Sequence, residues 1–241
     1  MKVFFPEDRP AWPFLLGLMG AIIALFMIYV SAADAAPVVR VLQQQCQNGR
    51  CTQGWYSGVA IGRDQKTGSI VVVTVAHGWT PGVKPLVEIE SGTFEEATVA
   101  GQSSTDDVTV LLVPHAARTQ VFPLGTTLPQ KGQQVGVAGF QQGRHYCSRS
   151  ARVKGYHGNL IRFSETVAQG ESGGAVVMDC ELVGIIVGDT GPATVMPPNG
   201  RQPSRLISDG VAIPVTTLRK SVKQALGEMP QTTASADRQP S

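Results

Sequence analysis

Between residues 55 and 213 the chain is built from short β-rich runs, each closed by turn residues, and no helical repeat or heptad interrupts them. The runs fall at 55–62, 69–75, 85–90, 94–100, 108–113, 134–140, 151–156, 160–164, 174–178, 182–187 and 211–213. Residues 63–68 join the first two as a hairpin, and Ser91-Gly92-Thr93 joins the next two. Strands at this spacing predict an all-β sandwich or barrel. Composition agrees. Glycine, at 27 of 241 residues, supplies turns, and the 16% of charged residues lies below the roughly 25% of ordinary soluble domains. A coiled coil or a solvated disordered chain is disfavoured on the same grounds. A net charge of +2 gives no general pull toward nucleic acid. The stretch at 122–131 divides the strands into two groups, which fits two small barrels. Residues 216–226 predict a short C-terminal helix. The polar tail at 229–241 predicts disorder, and the proline-containing stretch at 190–208 a flexible surface loop.

Residues 14–30 carry no charge, and Ser31, Ala32 and Ala33 extend them to about the length a bilayer core needs. The segment reads as a signal peptide or signal anchor; the competing reading is a buried core helix. Ala33-Asp34-Ala35 offers a cleavage site before Ala36. The 17-residue apolar run exceeds the usual signal h-region of about 7–15 residues. That length favours an uncleaved anchor with the N-terminus inside. Either way the remainder is expected outside the cytoplasm, with the membrane as a partner through this segment where it stays uncleaved. The cysteines fit such a compartment. Cys46 and Cys51 frame an Asn-Gly turn and suit a local disulfide, with Cys147 and Cys180 as the second bridge. Four cysteines allow three pairings, and the sequence does not choose among them. The C-x4-C spacing does not match a zinc site, so no metal and no cofactor are read from the sequence.

One constellation carries chemistry. Gly170-Glu171-Ser172-Gly173-Gly174 places a serine in a glycine-rich turn before the apolar run Ala175-Val176-Val177-Met178. The pattern also satisfies G-x-S-x-G, the nucleophile elbow of α/β-hydrolases, but there the histidine follows the serine. Here His77, His115, His145 and His157 all precede it. What remains is the order His77, Asp107, Ser172, with His77 at the end of one β-branched run and Asp107 at the start of another. A serine hydroxyl needs a base within reach, and imidazole titrates near neutrality. The imidazole in turn needs a carboxylate to fix its tautomer. Backbone N–H groups in a glycine-rich turn can meet a developing oxyanion.

These elements, Thr74-Val75-Ala76-His77, Asp107-Val108-Thr109-Val110-Leu111, Gly170-Glu171-Ser172-Gly173-Gly174 and Leu182-Val183-Gly184-Ile185-Ile186-Val187-Gly188, together resemble the chymotrypsin-like (trypsin-like) serine peptidases. Their compact spacing is closest to the short-loop bacterial and viral members. The resemblance implies an all-β fold of two antiparallel six-stranded β-barrels with the active site between them. The barrels would span about 37–121 and 132–215, within a domain of 37–228. It implies a serine endopeptidase acting on polypeptides, with His77 as general base, Asp107 as orienting acid and Ser172 as nucleophile. The N–H groups of Gly170 and Ser172 would form the oxyanion hole. Asp106 competes with Asp107, and the strand that follows favours Asp107. His115, His145 and His157 match no motif. Thr166, Ile186, Val187, Gly188 and Asp189 fall where the family binds the residue before the cut.

Two departures carry consequences. Glu171 replaces the family's usual aspartate, and no Ile-Val-Gly-Gly-like sequence lies near Pro37-Val38-Val39-Arg40. The expectation is an enzyme that needs no N-terminal activation cleavage. Thr166 is neutral where enzymes that cut after basic residues carry aspartate, so a small or medium uncharged residue before the cut is expected. An inactive homologue serving as a binding module and a non-peptidase surface protein are the competing functions.

Overall fold

The computed structural model describes residues 37–47, 50–77, 79–80, 82–90, 92–114, 119–191, 193–194 and 206–232. All belong to the compact unit that begins at Ala36. The apolar segment at 14–33 with its cleavage site, His115, the middle of the 190–208 loop and residues 233–241 lie outside the described residues.

Seven strands form the N-terminal sheet: β1 (Val38–Gln47), β2 (Arg50–Arg63), β3 (Ile70–Val75), β4 (Pro85–Glu90), β5 (Thr93–Glu96), β6 (Thr98–Ser103) and β7 (Val108–Val113). They lie in the order β5-β4-β1-β2-β3-β7-β6 and pair antiparallel. The C-terminal strands β8 (Gln134–Gln141), β9 (His145–His157), β10 (Leu160–Phe163), β11 (Ala175–Met178), β12 (Glu181–Asp189) and β15 (Gly210–Pro214) close into a barrel, β10-β15-β12-β11-β8-β9. Two residues each of β13 (Ala193–Thr194) and β14 (Leu206–Ile207) pair within the 190–208 loop. Helix α1 (Val215–Leu226) follows β15 and ends at Gly227, whose N–H bonds the carbonyl of Lys223 at 2.8 Å.

Successive strand residues face opposite ways, and the central strands are covered on both faces. In β3, Val71, Val73 and Val75 join a core shared with the barrel and α1, through Ala138, Ala175, Ile185, Leu218 and Val222. Ile70 and Val72 face a second core within the sheet, with Val39, Val41, Val87 and Leu111. Two-sided burial explains why β3 reads as a near-continuous apolar run, interrupted only by Thr74, rather than an alternation. The barrel has its own interior of Val137, Val153, Ile161, Phe163, Val176 and Ile186.

The all-β class and the C-terminal helix match the sequence reading, with several differences. The N-terminal half is a curled sheet of seven strands, not a closed six-stranded barrel: β6 packs against α1, and no ladder joins β6 to β5 among the described residues. The run at 94–100 is two strands broken at Ala97, and β1 adds a strand before residue 55, in which Val38, Val39 and Val41 lead into the polar Gln43-Gln44-Gln45. Residues 229–231 are ordered, not disordered. Met229 packs on the shared core, and Gln231 exchanges two 2.9 Å backbone bonds with Arg63. The second expected disulfide is absent, because Cys147 and Cys180 are free thiols. Cys147 stands opposite Gly139 of β8, whereas β11 crosses β8 at Gly136 and runs away from Cys147 toward Cys180. At least four residues of strand, about 13 Å, then separate two cysteines whose Cα atoms must come within about 7 Å to bond. Cys51 is disulfide-bonded, and the residue directly opposite it in the β1–β2 ladder is Cys46.

Candidate active site

β3 and β7 are neighbours, with Val75 opposite Val108. Residues just past the end of β3 and just before the start of β7 must therefore meet, and these are Ala76-His77 and Asp107. Asp107 holds φ at +54°, a left-handed conformation that costs a non-glycine residue about 1–3 kcal/mol. That conformation aims its carboxylate. Oδ1 accepts the N–H groups of Ala76 at 2.9 Å and His77 at 2.6 Å, and Oδ2 meets Nδ1 of His77 at 2.7 Å. The carboxylate fixes the proton on Nδ1 and leaves Nε2 able to accept one. The hydrogen bond to Asp107 raises the His77 pKa above its ordinary 6.5, against an opposing push from partial burial. Asp106 points elsewhere and accepts from Lys220 Nζ at 3.2 Å.

Ser172 sits in the turn between β10 and β11, pressed against β2 and β3. A side chain at Gly173 would lie 2.0 Å from the Ser57 carbonyl oxygen and 2.4 Å from Thr74 Oγ1, so only glycine lets the turn approach. Close approach is then locked by hydrogen bonds. Ser57 N–H donates to the Ser172 carbonyl at 2.8 Å, Ser57 Oγ donates to the Gly170 carbonyl at 2.8 Å, and Gly173 N–H donates to the Ile186 carbonyl at 2.7 Å. The Ser172 hydroxyl donates to the Val187 carbonyl at 2.8 Å, and no hydrogen bond joins it to His77 among the described residues. Val187 is the extra residue of a bulge between Ile186 and Gly188, which frees its carbonyl from the ladder with β15. Neither Gly170 N–H nor Ser172 N–H has a backbone acceptor among the described residues.

Glu171 has no exposed surface. Its carboxylate takes a two-point contact from Arg149, with Nη2 to Oε2 at 2.8 Å, and accepts the N–H of Ala168 at 2.7 Å. Burial pushes its carboxyl up, but the Arg149 and Ala168 hydrogen bonds and the guanidinium charge together hold it below 4.5. Arg149 Nη2 also donates to the Thr166 carbonyl at 2.9 Å, so one side chain ties the segment 166–171 to β9.

His77, Gly170 and Ser172 line one cleft of about 530 Å3 with Trp55, Gln142 and Gln169. A base-competent imidazole, a serine hydroxyl and two unengaged backbone N–H groups on one cleft have the composition needed for acyl transfer. The five residues expected to bind substrate do not line that cleft. Thr166 is exposed, and its hydroxyl donates to Ser208 at 3.3 Å. Asp189 is exposed and accepts the Gly191 N–H at 2.9 Å. Gly188 borders open space. The Ile186 side chain is wholly buried in the barrel interior, which leaves only its backbone for contact with a substrate. Sequence reasoning missed Ser57 and Arg149. A serine followed by glycine inside an apolar strand was a usable signal for Ser57; nothing local marks Arg149, which lies 22 residues before its partner.

A trypsin-like peptidase domain matches residues 56–185, more than half of the chain. No curated protein matches it. Among solved structures, the serine endoprotease from Yersinia pestis is similar with a TM-score of 0.61 at 21% identity, over 81% of this chain and 64% of that one. The chain thus spans slightly less than two thirds of that protein. The Rv3671c protease from M. tuberculosis in its active form is similar with a TM-score of 0.60 at 20% identity, over 95% of this chain and 97% of that one. Its inactive form gives 0.60 at 19% identity, over 83% and 93%. At such identities these likenesses speak for the fold. The domain match identifies the chain as a member of the trypsin-like peptidase domain family.

Proposed function

We propose that the chain is a serine endopeptidase that hydrolyses polypeptides through an acyl-enzyme on Ser172, outside the cytoplasm. The observation that carries this reading is the carboxylate of Asp107, which holds Nδ1 of His77 at 2.7 Å on the cleft that Ser172 shares. The Ser172 hydroxyl leaves the Val187 carbonyl by rotation about its Cα–Cβ bond and gives its proton to Nε2 of His77 as Oγ attacks the substrate carbonyl. The N–H groups of Gly170 and Ser172 take the oxyanion. His77 then protonates the departing amine, and water repeats the sequence to release the acyl group. Asp107 stays ionised throughout and stabilises the imidazolium. Arg149 neutralises Glu171 from within the barrel, so the Ser172 turn needs no newly cut N-terminus to hold its shape. Thr166, Val187, Gly188, Asp189 and the backbone of Ile186 border the residue before the cut, which we read as small or medium and uncharged. Residues 1–36 serve as signal peptide or membrane anchor, 37–228 as the peptidase domain, and Cys46 bonds Cys51.

The test is a fluorophosphonate probe on the full chain, followed by peptide mass mapping. Labelling at Ser172 that is lost in His77→Ala supports the reading. A folded protein that takes no label favours the second reading, an inactive homologue that binds without cleaving. The bond from the Ser172 hydroxyl to Val187 rather than to His77 is the observation on that side.

A further inference from the structure

Cross-strand neighbours share a sheet face, and one such row in the N-terminal sheet is polar. Arg40 of β1 stands opposite Glu88 of β4 on one side and Ser57 of β2 on the other. Glu88 is buried and makes a two-point ion pair with the Arg40 guanidinium. The guanidinium also lies over the rings of Phe94 and Phe140, 5.9 and 5.6 Å from their centroids. Its third nitrogen crosses to the barrel: Nη1 donates to the Gly143 carbonyl at 3.2 Å. Ser57 crosses beside it, accepting the Phe140 N–H at 2.8 Å while donating to the Gly170 carbonyl. The polar row therefore grips the β8–β9 turn on both sides.

That turn is unusual. Gln142 and Gly143 have φ of +53° and +65°, and Arg144 N–H closes the turn on the Gln141 carbonyl at 3.0 Å. Positive φ at both central residues belongs to a type I′ turn, where glutamine is an unfavourable choice. A side chain at Gly143 would sit 2.5 Å from Cβ and Cγ of Trp55, so the turn is also seated tightly on β2. The strained residue reaches across to the serine turn, where the Gln142 N–H donates to the Gln169 carbonyl at 2.6 Å. In a trans peptide the N–H points opposite the C=O. A Gln169 carbonyl held toward the turn therefore sends the Gly170 N–H away from it, into the cleft that Gly170 lines with Ser172 and His77.

We propose that Arg40 is a positioning residue: clamped by Glu88, it holds the β8–β9 turn so that the Gln169–Gly170 peptide presents its N–H to the substrate's developing oxyanion. The inference rests on the serine peptidase reading above. It places the control of one half-site in the other half of the molecule, 130 residues of chain away from Gly170.

The test uses p-nitrophenyl acetate turnover and the rate of fluorophosphonate inactivation, both of which develop charge on an oxygen facing the Gly170 N–H. Loss of one oxyanion donor costs about 10²–10³-fold in kcat; loosening it through Arg40→Ala is expected to cost roughly 10–100-fold, with KM within about twofold and partial rescue in Arg40→Lys. Arg40→Ala leaves Glu88 buried and unpaired and can lose its fold. The double variant Arg40→Met, Glu88→Met removes the pair together, which proteins commonly tolerate, and it should lose kcat at an unchanged Tm. A folded double variant with kcat and inactivation rate within twofold of the parent overturns the proposal. If the parent itself neither turns over nor labels, the peptidase reading fails, and amide hydrogen exchange decides this one separately. Gln142 N–H should exchange slowly in the parent and faster in the double variant; equal protection overturns it.

Discussion

The N-terminal sheet fixes His77 and Asp107 through the pairing of two strand ends, whereas the barrel fixes Ser172 through polar contacts drawn from several separate elements. On the sheet side, paired strand ends bring the two residues together, and the Asp107 carboxylate is saturated by the N–H groups of Ala76 and His77 and by the imidazole. On the barrel side, the serine turn depends on Arg149 of β9, Ser57 and Thr74 of the sheet, and Ile186 of β12. One half of the cleft is built by register and the other by long-range polar contacts. The two should fail differently when altered.

Asp107→Asn tests the register-built half and should have the largest effect. The amide keeps the shape but favours the wrong imidazole tautomer, and loss of about 10⁴-fold in kcat is expected. The pH profile should move with it. His77 is raised above 6.5 chiefly by its hydrogen bond to Asp107, so kcat/KM of the parent is expected to fall as pH drops through a value above 6.5, where the imidazole gains a proton and can no longer accept one from serine. Without the carboxylate that limb should shift to lower pH. A residual limb at the parent's position in Asp107→Asn would mean that another group sets it.

Arg149→Met tests the half built at long range, and its effect should be on stability first. Glu171 would keep its buried site and lose its counter-charge, which typically costs about 3–5 kcal/mol. The pH dependence gives the sign. In the parent the Glu171 carboxyl is held below 4.5, so its contribution is present above the unfolded value of about 4.3 and disappears as pH falls through the folded one. In the variant, burial is left to push the carboxyl up, so the stability deficit should be greatest at pH 8 and shrink as Glu171 takes a proton. Urea unfolding at pH 8 and pH 5 measures both. A deficit under about 1 kcal/mol at pH 8 would show that Arg149 is not what holds the turn.

The same contrast decides what could be read from the sequence. His77, Asp107 and Ser172 each sit beside a β-branched or glycine-rich run that marks them locally, and the order of the three excludes an α/β-hydrolase without any structure. Most strands were visible for the same reason. Arg149, Gln142 and Arg40 carry no such mark, because no β-branched or glycine-rich run singles them out, and their partners, 22, 27 and 103 residues away, are known only from the fold. Ile186 was named from its place on the family's cleft strand, and the burial of its side chain has no local mark, since β12 is buried from Leu182 through Ile186 without alternation. The closed first barrel was expected from the family's usual form, and the sheet's two edge strands, β5 and β6, are too short and polar to announce whether they meet.

Asp106 supplies the smallest and most discriminating change. It is adjacent to Asp107 in sequence, yet its carboxylate faces Lys220 of α1 across a contact whose lysine is largely exposed. Exposed pairs of this kind contribute about 0–1 kcal/mol, so Asp106→Asn should shift stability by no more than that and leave kcat within about threefold of the parent. The comparison with Asp107→Asn is then made between neighbouring aspartates with the same substitution. If Asp106→Asn instead lost activity on the scale of Asp107→Asn while its Tm held, the register that pairs Val75 with Val108 would be assigning the acid to the wrong residue, and the sheet half of the cleft would need to be rebuilt one position earlier.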